Sequence, residues 1–432
     1  MTRPGERVVW SRLEGEKLRD TWLLHDQTSS TPTLLARGVR LRVSVFVDRF
    51  EVFDPEHLLT RDWWSLGERF TTQPWVLFDA VLEVPGIREV ATQTPVLFHL
   101  AFEATHADDS IPYPPGVTED TLLAELVLPE AVHEVSMDGG GPERPQAPSV
   151  TPVSLVAVPE GVVEPADAYR AAFEAVTDHI AQGEAYQVVL SHSVGHQGSI
   201  CPRALFDELT SRSQVPYAFM WPLSDGRTLV GASPECFAKS DGVELHLHPL
   251  AGTVRRSGVE ELDSATLALF KEDAKELGEH LMLLDLCRDD IANTCVDGSV
   301  EVRSEFEVEA FGNVFHLASH VAGRLDRSRG PFETLRRVFP AGTMTGAPRL
   351  RAMEIISDLE PEARGAYAGV VGCAYSDGRF DSAICIRMVE VLPQGCRIRA
   401  AGGVLWDSSL AKEWEEVQTK LSGPRQAVRT CS

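Results

Sequence analysis

The chain is short of positive charge, of long apolar runs, and of the compact signatures that mark nucleotide, zinc and disulfide chemistry. Forty Lys and Arg residues stand against 64 Asp and Glu, a formal charge of −24. So acidic a surface repels phosphate backbones, and no Lys/Arg cluster or basic–aromatic interleaving offers a local exception. Nucleic acid is therefore not an expected partner. No stretch approaches the roughly 18 apolar residues of a membrane span, and the opening MTRPGERVVWSRLEGEK has no apolar core of the kind a signal segment carries. No membrane association and a cytoplasmic location are expected. The eight cysteines (201, 236, 287, 295, 373, 385, 396 and 431) form no CxxC pair and are too sparse for a disulfide scaffold. They read as reduced thiols that mostly pack, and the Cys287 to Cys295 spacing fits no zinc pattern. Gly402-Gly403 lies outside any GxGxxG, and GTMTGAPR (342–349) lacks the GK[ST] that sets a lysine on phosphates, so dinucleotide and P-loop folds are excluded.

What is present suits a large globular protein: 432 residues, 43% hydrophobic and 24% charged. Residues 1–136 read as a β-rich region, with short runs at 43–46 (VSVF), 75–78 (WVLF) and 96–100 (VLFHL) between polar turns. No catalytic motif falls there, and Trp63-Trp64 reads as core. The segment MDGGGPERPQAPSVTP (137–152) cannot hold a regular element and sets a linker at 137–153. Beyond it, 154–428 reads as one catalytic unit. Tyr169, Phe173, Val176 and Ile180 recur at helical spacing and Gly183 closes that helix. Strands are expected at 186–191, 228–230, 243–246, 300–302, 369–375, 384–391 and 397–400. Helices interspersed with hairpin-compatible turns indicate an α+β fold.

Two acidic helices stand out. Residues 272–289 (EDAKELGEHLMLLDLCRD) predict a helix of four to five turns with Glu276 and Glu279 three apart. Residues 411–421 (AKEWEEVQTKL) repeat the device with Glu413 and Glu416, and Lys420 follows one turn on. Carboxylates at that spacing share a helix face and repel. Two such pairs could enclose one hard cation, and Mg²⁺ fits best because it takes one or two protein carboxylates and keeps sites for water and an anionic substrate. Either helix alone reads more simply as a solvated acidic face.

Other segments reverse that preference. GEAYQVVLS (183–191), GASPE (231–235), HPLAGT (248–253), EHLMLLDLCRDD (279–290) and NVFHLASH (313–320) occur in order. FPAGTMTGAPRLRAMEII (339–356), RGAYAG (364–369), DSAICIR (381–387), AGGVLWDS (401–408) and the 413–420 run follow. Together they resemble the chorismate-utilising enzymes, most closely the aminase subunit (component I) of anthranilate synthase. The resemblance covers about residues 165 to 425 and implies two large antiparallel β-sheets packed face to face with helices outside. It implies chorismate as substrate and Mg²⁺ as cofactor, held by Glu279 and Glu416 with Glu276 and Glu413 acting through water. Arg387 and Tyr367 are then expected to clamp the enolpyruvyl carboxylate. Gly252, Thr253, Thr343, Gly402 and Gly403 are expected to line the rest of the pocket, where glycine admits close approach.

Within the resemblance, Glu235 is the expected general acid and His316 the residue that aids pyruvate elimination. Gln187 and Lys420 complete the catalytic set. Two positions choose the branch. Gln187 stands where the isochorismate and salicylate synthases carry a water-activating lysine, and Ala251 where aminodeoxychorismate synthases usually carry a lysine nucleophile. An amide takes no proton from water, so ammonia, nucleophilic once neutral, is the expected nucleophile, at ring carbon 2. No GxCxGHQ run supplies a glutaminase, and Gly195-His196-Gln197 has no cysteine before it, so a separate glutamine amidotransferase subunit is implied. Val254, Asp290 and Ala401-Gly402-Gly403 depart from the commoner arginine, asparagine and Gly-Ala-Gly, and the last two bear on product identity more than on chorismate binding. The LLES segment associated with tryptophan feedback is not found, so either that regulation is absent or the N-terminal unit has diverged, as in enzymes serving secondary metabolism. Release of 2-amino-2-deoxyisochorismate, formation of 4-amino-4-deoxychorismate, or a non-catalytic paralogue are the alternatives.

Overall fold

The structure, a computed structural model, describes residues 8–9, 21–26, 33–59, 63, 73–107, 111–136, 165–212, 215–257, 259–311 and 314–431. The expected linker at 137–153, Trp64 and Asn313 fall outside the described residues.

Two large sheets organise the chain. One has ten strands, and its centre runs Thr21–Asp26, Tyr217–Pro222, Thr228–Ser233, Met388–Leu392, Gly395–Val404 and Gln187–Gln197. The other has eleven, and its centre runs Val314–Arg324, Glu244–Leu247, Cys236–Asp241, Arg379–Ile384, Val370–Ala374, Val96–Leu100 and Leu122–Leu128. Among the described residues pairing is antiparallel except where Val8–Val9 meets residues 135–136. Both sheets draw strands from before and after residues 137–164: Thr21–Asp26 pairs with Tyr217–Pro222, and Val96–Leu100 with Val370–Ala374.

Strand alternation puts one face of each sheet into a shared core. Trp22, Phe219, Trp221 and Met388 of the first sheet pack with Leu97, Val371, Cys373 and Ala383 of the second. The intervening residues of the second sheet face helices, with Phe98 against Phe332 at 5.2 Å and Phe332 against Phe78 at 5.2 Å. A buried ring of this size stabilises by about 3 kcal/mol or more, which fixes the helix Pro331–Val338 on the sheet.

Three expectations need correction. Residues 75–78 are not a strand but part of the helix Pro74–Glu83, which opens on its proline and buries Trp75, Leu77, Phe78, Val81 and Leu82. Four apolar residues are too few to separate a period of two from one of 3.6. That helix also carries Asp79, whose carboxylate accepts the Phe332 and Glu333 amides at 3.0 and 2.8 Å and so caps the next helix. The two acidic helices are longer than expected, Ala274–Thr294 and Leu410–Thr430, the second running through Pro424. Finally, 384–391 is not one strand. Arg379–Ile384 ends in the eleven-stranded sheet, Met388–Leu392 begins in the ten-stranded sheet, and residues 385–387 cross between them.

Candidate active site

The site forms where the chain crosses from sheet to sheet. Thr228–Ser233 belongs to one sheet and Cys236–Asp241 to the other, so Pro234-Glu235 is a two-residue crossing. The 385–387 crossing lies beside it: Ile384 N–H donates to Glu235 O at 3.1 Å and Ala232 N–H to Arg387 O at 3.2 Å. The 366–369 turn is stitched on by Ala368 N–H to Cys385 O at 3.0 Å and Cys385 N–H to Gly369 O at 2.8 Å. Arg387 and Ala368 take the left-handed backbone, φ 50° and 63°. Side chains seldom adopt that conformation without support, and these bonds supply it. Three of the expected site residues, Glu235, Tyr367 and Arg387, thereby converge on one cavity of about 460 Å³.

Their chemistry is complementary. Glu235 is buried, accepts the Thr343 hydroxyl at 2.9 Å, and is pushed up to about 7 by loss of solvent. It keeps its proton to a higher pH than a solvated carboxyl does, as suits a general acid. The Arg387 guanidinium has no hydrogen-bond partner among the described residues, so its fork is available to a planar carboxylate. His316 lies on Val314–Arg324, and its Nδ1 is 2.8 Å from Gly252 O. A carbonyl only accepts, so Nδ1 carries the hydrogen and Nε2 is the acceptor nitrogen. Burial pushes His316 down to about 4, which keeps the ring neutral.

The far wall is acidic. Glu276 and Glu279 rise from the first turns of Ala274–Thr294, which Asp273 caps through Lys275 N and Glu276 N, and Glu413 and Glu416 from those of Leu410–Thr430. Two helix N-termini favour carboxylates, each by less than about 1 kcal/mol. Burial nonetheless raises Glu276, Glu279 and Glu413, with mutual repulsion adding to it. For Glu416 burial acts in the same direction, but Lys420, paired at 2.6 Å, outweighs it and the value falls. Lys420 also donates to Ala401 O at 2.8 Å. Gln187 Nε2 donates to Glu279 Oε1 at 2.8 Å, and a Cβ on Gly403 would lie 2.5 Å from that amide nitrogen. Gly252, at φ +62°, would likewise drive a Cβ to 2.6 Å from Glu276 Oε2. Gly252 is therefore needed for its backbone conformation, while a side chain at Gly403 would push the Gln187 amide from its place.

The donor set suits a hard cation. All four glutamates line the cavity, and Glu413 Oε2 is buried with no hydrogen-bond partner among the described residues, while Oε1 accepts from Ser408 at 2.7 Å. Among the described residues no three His, Cys, Asp or Glu side chains form a ready metal cage. A cation here would complete its shell with water and ligand oxygens, which is the habit of Mg²⁺ rather than of zinc.

Residues 66–426 match the profile of a family described as chorismate binding enzyme. The chain belongs to that family. Among curated relatives, this chorismate-binding family member is 36% identical over 318 residues to a 2-amino-4-deoxychorismate synthase of Streptomyces globisporus, covering 73% of the chain and 61% of the relative. It is 40% identical over 252 residues to an anthranilate synthase component 1 of Streptomyces coelicolor, covering 58% and 49%. The chain thus spans about half to three fifths of these relatives. The solved anthranilate synthase component I of Streptococcus pneumoniae shares the fold at a TM-score of 0.73, with 24% identity over 92% of this chain and 93% of that one. No helix among the described residues is long and apolar enough to cross a membrane.

The structure gathers Gln187, Glu235, Gly252, Thr343, His316, Tyr367, Arg387, Gly403, Lys420 and the four glutamates around one cavity. Gly402 sits one residue outside its lining, where a Cβ would come 3.3 Å from Glu413 Oε2. Thr253 lies in Leu250–Arg255, its side chain outside the described set. Sequence reasoning missed Lys275, Lys412 and Arg399, which also line the cavity. It missed Glu103 as well: this buried carboxylate accepts the Arg364 and Gly365 amides at 2.6 and 2.9 Å and holds the turn that presents Tyr367. Nothing in the local pattern around Glu103 signals this.

Proposed function

We propose that the chain adds ammonia to ring carbon 2 of chorismate in a Mg²⁺-dependent reaction, then eliminates pyruvate to give anthranilate, with ammonia supplied by a separate glutaminase subunit. The observation that carries this reading is the pairing, in one cavity, of a buried acid protonated near neutrality with an amide where a water-activating base would stand. Arg387 and Tyr367 bind the enolpyruvyl carboxylate. Glu235 gives its proton to the carbon 4 hydroxyl, which leaves as water while neutral ammonia bonds to carbon 2. Gln187, tied to Glu279, offers no base to activate water. His316, neutral with Nε2 as acceptor, is suited to take the carbon 2 proton as the enolpyruvyl group leaves. Mg²⁺, when bound by Glu279 and Glu416, with Glu276 and Glu413 reaching it through water, would supply the positive charge that admits a dicarboxylate beside four glutamates.

A second reading stops before elimination, with nitrogen on carbon 2 and the enolpyruvyl group retained. The relative named 2-amino-4-deoxychorismate synthase favours it, since that name places an amino group at carbon 2 of a chorismate skeleton. The test is to mix purified protein with chorismate, Mg²⁺ and ammonium at mildly alkaline pH. Anthranilate fluorescence supports the first reading, and a non-fluorescent amine retaining the enolpyruvyl mass supports the second. Formation of 4-amino-4-deoxychorismate alone, or no turnover, overturns both.

A further inference from the structure

Glu235, together with Thr343 and Leu283, borders two cavities. One is the large cavity; the other is one of about 30 Å³ whose lining includes Thr343, Cys287, Asp290 and His248. A buried water needs roughly 10–15 Å³ and two or more polar partners, so this space, bordered by both Glu235 and Asp290, admits about one or two waters. The helix Ala274–Thr294 builds its wall by periodicity, since Leu283, Leu286, Cys287 and Asp290 share one face. The Cys287 thiol, raised chiefly by burial, also senses both Asp290 and Glu235, so the two acids flank it. Asp290 is ion-paired to Arg349, and its side chain is 13% exposed, so this residue of the cavity wall also touches solvent.

We infer that Asp290 returns to Glu235, through water in the small cavity, the proton that Glu235 spends in each turnover. This rests on the amination proposed above. There the carbon–nitrogen bond forms and the carbon–oxygen bond breaks. The hydroxyl departs as water with the Glu235 proton, and the new ammonium nitrogen sheds its proton on the large-cavity side. Glu235 is left as a buried carboxylate whose front is covered by the ring, so its proton must come from behind. The groups facing Glu235 are the Thr343 hydroxyl, the Leu250 amide, Lys420 and the Cys236 and Cys287 thiols; those facing Asp290 are Arg349, Asp289 and Cys287. Burial holds His248 far below its usual value and the Cys287 thiol far above, so neither changes charge near neutrality. Asp290, raised by burial against the pull of Arg349, is the carboxyl left to exchange protons with solvent.

The test compares wild type with Asp290→Asn, which keeps an oxygen for Arg349 but carries no acidic proton, and with Asp290→Glu. With chorismate bound and ammonium withheld, hydrogen–deuterium exchange of the Glu235 carboxyl is followed by its infrared carbonyl band, assigned by its loss in Glu235→Gln. Exchange slows about tenfold or more in the Asn variant and recovers in the Glu variant. Turnover shows kcat falling by a similar factor with KM unchanged, and a solvent deuterium isotope effect develops on kcat. Cys287→Val, which fills the small cavity without altering charge, slows exchange likewise and decides the matter if the Asn variant does not fold. A wild type that turns over chorismate while all variants exchange at its rate overturns the relay alone. A wild type that neither binds nor turns over chorismate overturns the amination and the relay together.

Discussion

Replacing Glu235 with glutamine trades stability against activity in a pH-dependent way. The folded carboxyl is raised from 4.5 to about 7 by burial. At about 1.4 kcal/mol per unit, the ionised form costs the fold about 3 kcal/mol. Below pH 4.5 the group is protonated whether the chain is folded or not, and the cost vanishes. Between 4.5 and about 7 the unfolded chain releases a proton that the folded chain keeps, so stability falls with rising pH; above about 7 the cost is constant. The amide introduced by Glu235→Gln does not titrate, and its carbonyl still accepts from Thr343. One of the two bonds that Glu235 accepts from Thr343 and Leu250 is weakened in that variant, a loss of about 1 kcal/mol. The net expectation is a variant equal to or slightly less stable than wild type near pH 4.5 and about 2 kcal/mol more stable above about pH 7. Chemical denaturation followed by circular dichroism at both ends of that window measures it. The same variant removes the proposed general acid, so turnover is expected to drop by about 10²- to 10⁴-fold. Equal stability differences at low and high pH would show that Glu235 is not the buried titrating group described here, and unchanged turnover would remove it from the mechanism.

Other perturbations separate the remaining parts of the site. Glu279→Gln is expected to abolish Mg²⁺-dependent turnover while leaving the circular dichroism spectrum intact, because it removes one ligand charge from a site with few protein ligands; full activity would end the metal reading. With ammonium the chain is expected to work alone, and with glutamine to stay silent until a glutaminase subunit is added, so glutamine-dependent turnover by the purified chain would reveal a catalytic site not recognised here. Gln187→Lys is expected to introduce water addition, detected as isochorismate by mass. The new amine would lie beside Glu279, and it serves as a base only if burial keeps enough of it neutral at mildly alkaline pH. No isochorismate from a folded Lys variant would count against Gln187 as the branch-point residue.

Local periodicity was enough for the parts of the chain that repeat at one spacing. Tyr169, Phe173, Val176 and Ile180 are all buried on the helix Asp167–Ala181, and Gly183 ends it at φ +78°. The glutamate pairs three apart placed both acidic helices, because a shared face is a property of a single helix. Motif order then pointed to Glu235, His316, Tyr367 and Arg387 without saying how they meet. What lay beyond reach depended on contacts between distant residues. The run 384–391 (ICIRMVEV) is mostly apolar and holds no Gly or Pro, so nothing local marks the crossing that turns Arg387 into the cavity. The break exists because two sheets with different neighbours claim its two ends. Glu103 and Asp79 support the site and its flanking helix from a region that carries no motif, and each does so by bonding to backbone more than 250 residues away. By itself the sequence determined which side chains could do the chemistry. Only the tertiary structure decided which buried carboxyl keeps its proton and which helix ends oppose one another, because burial and long-range pairing set charge states and no spacing along the chain encodes them.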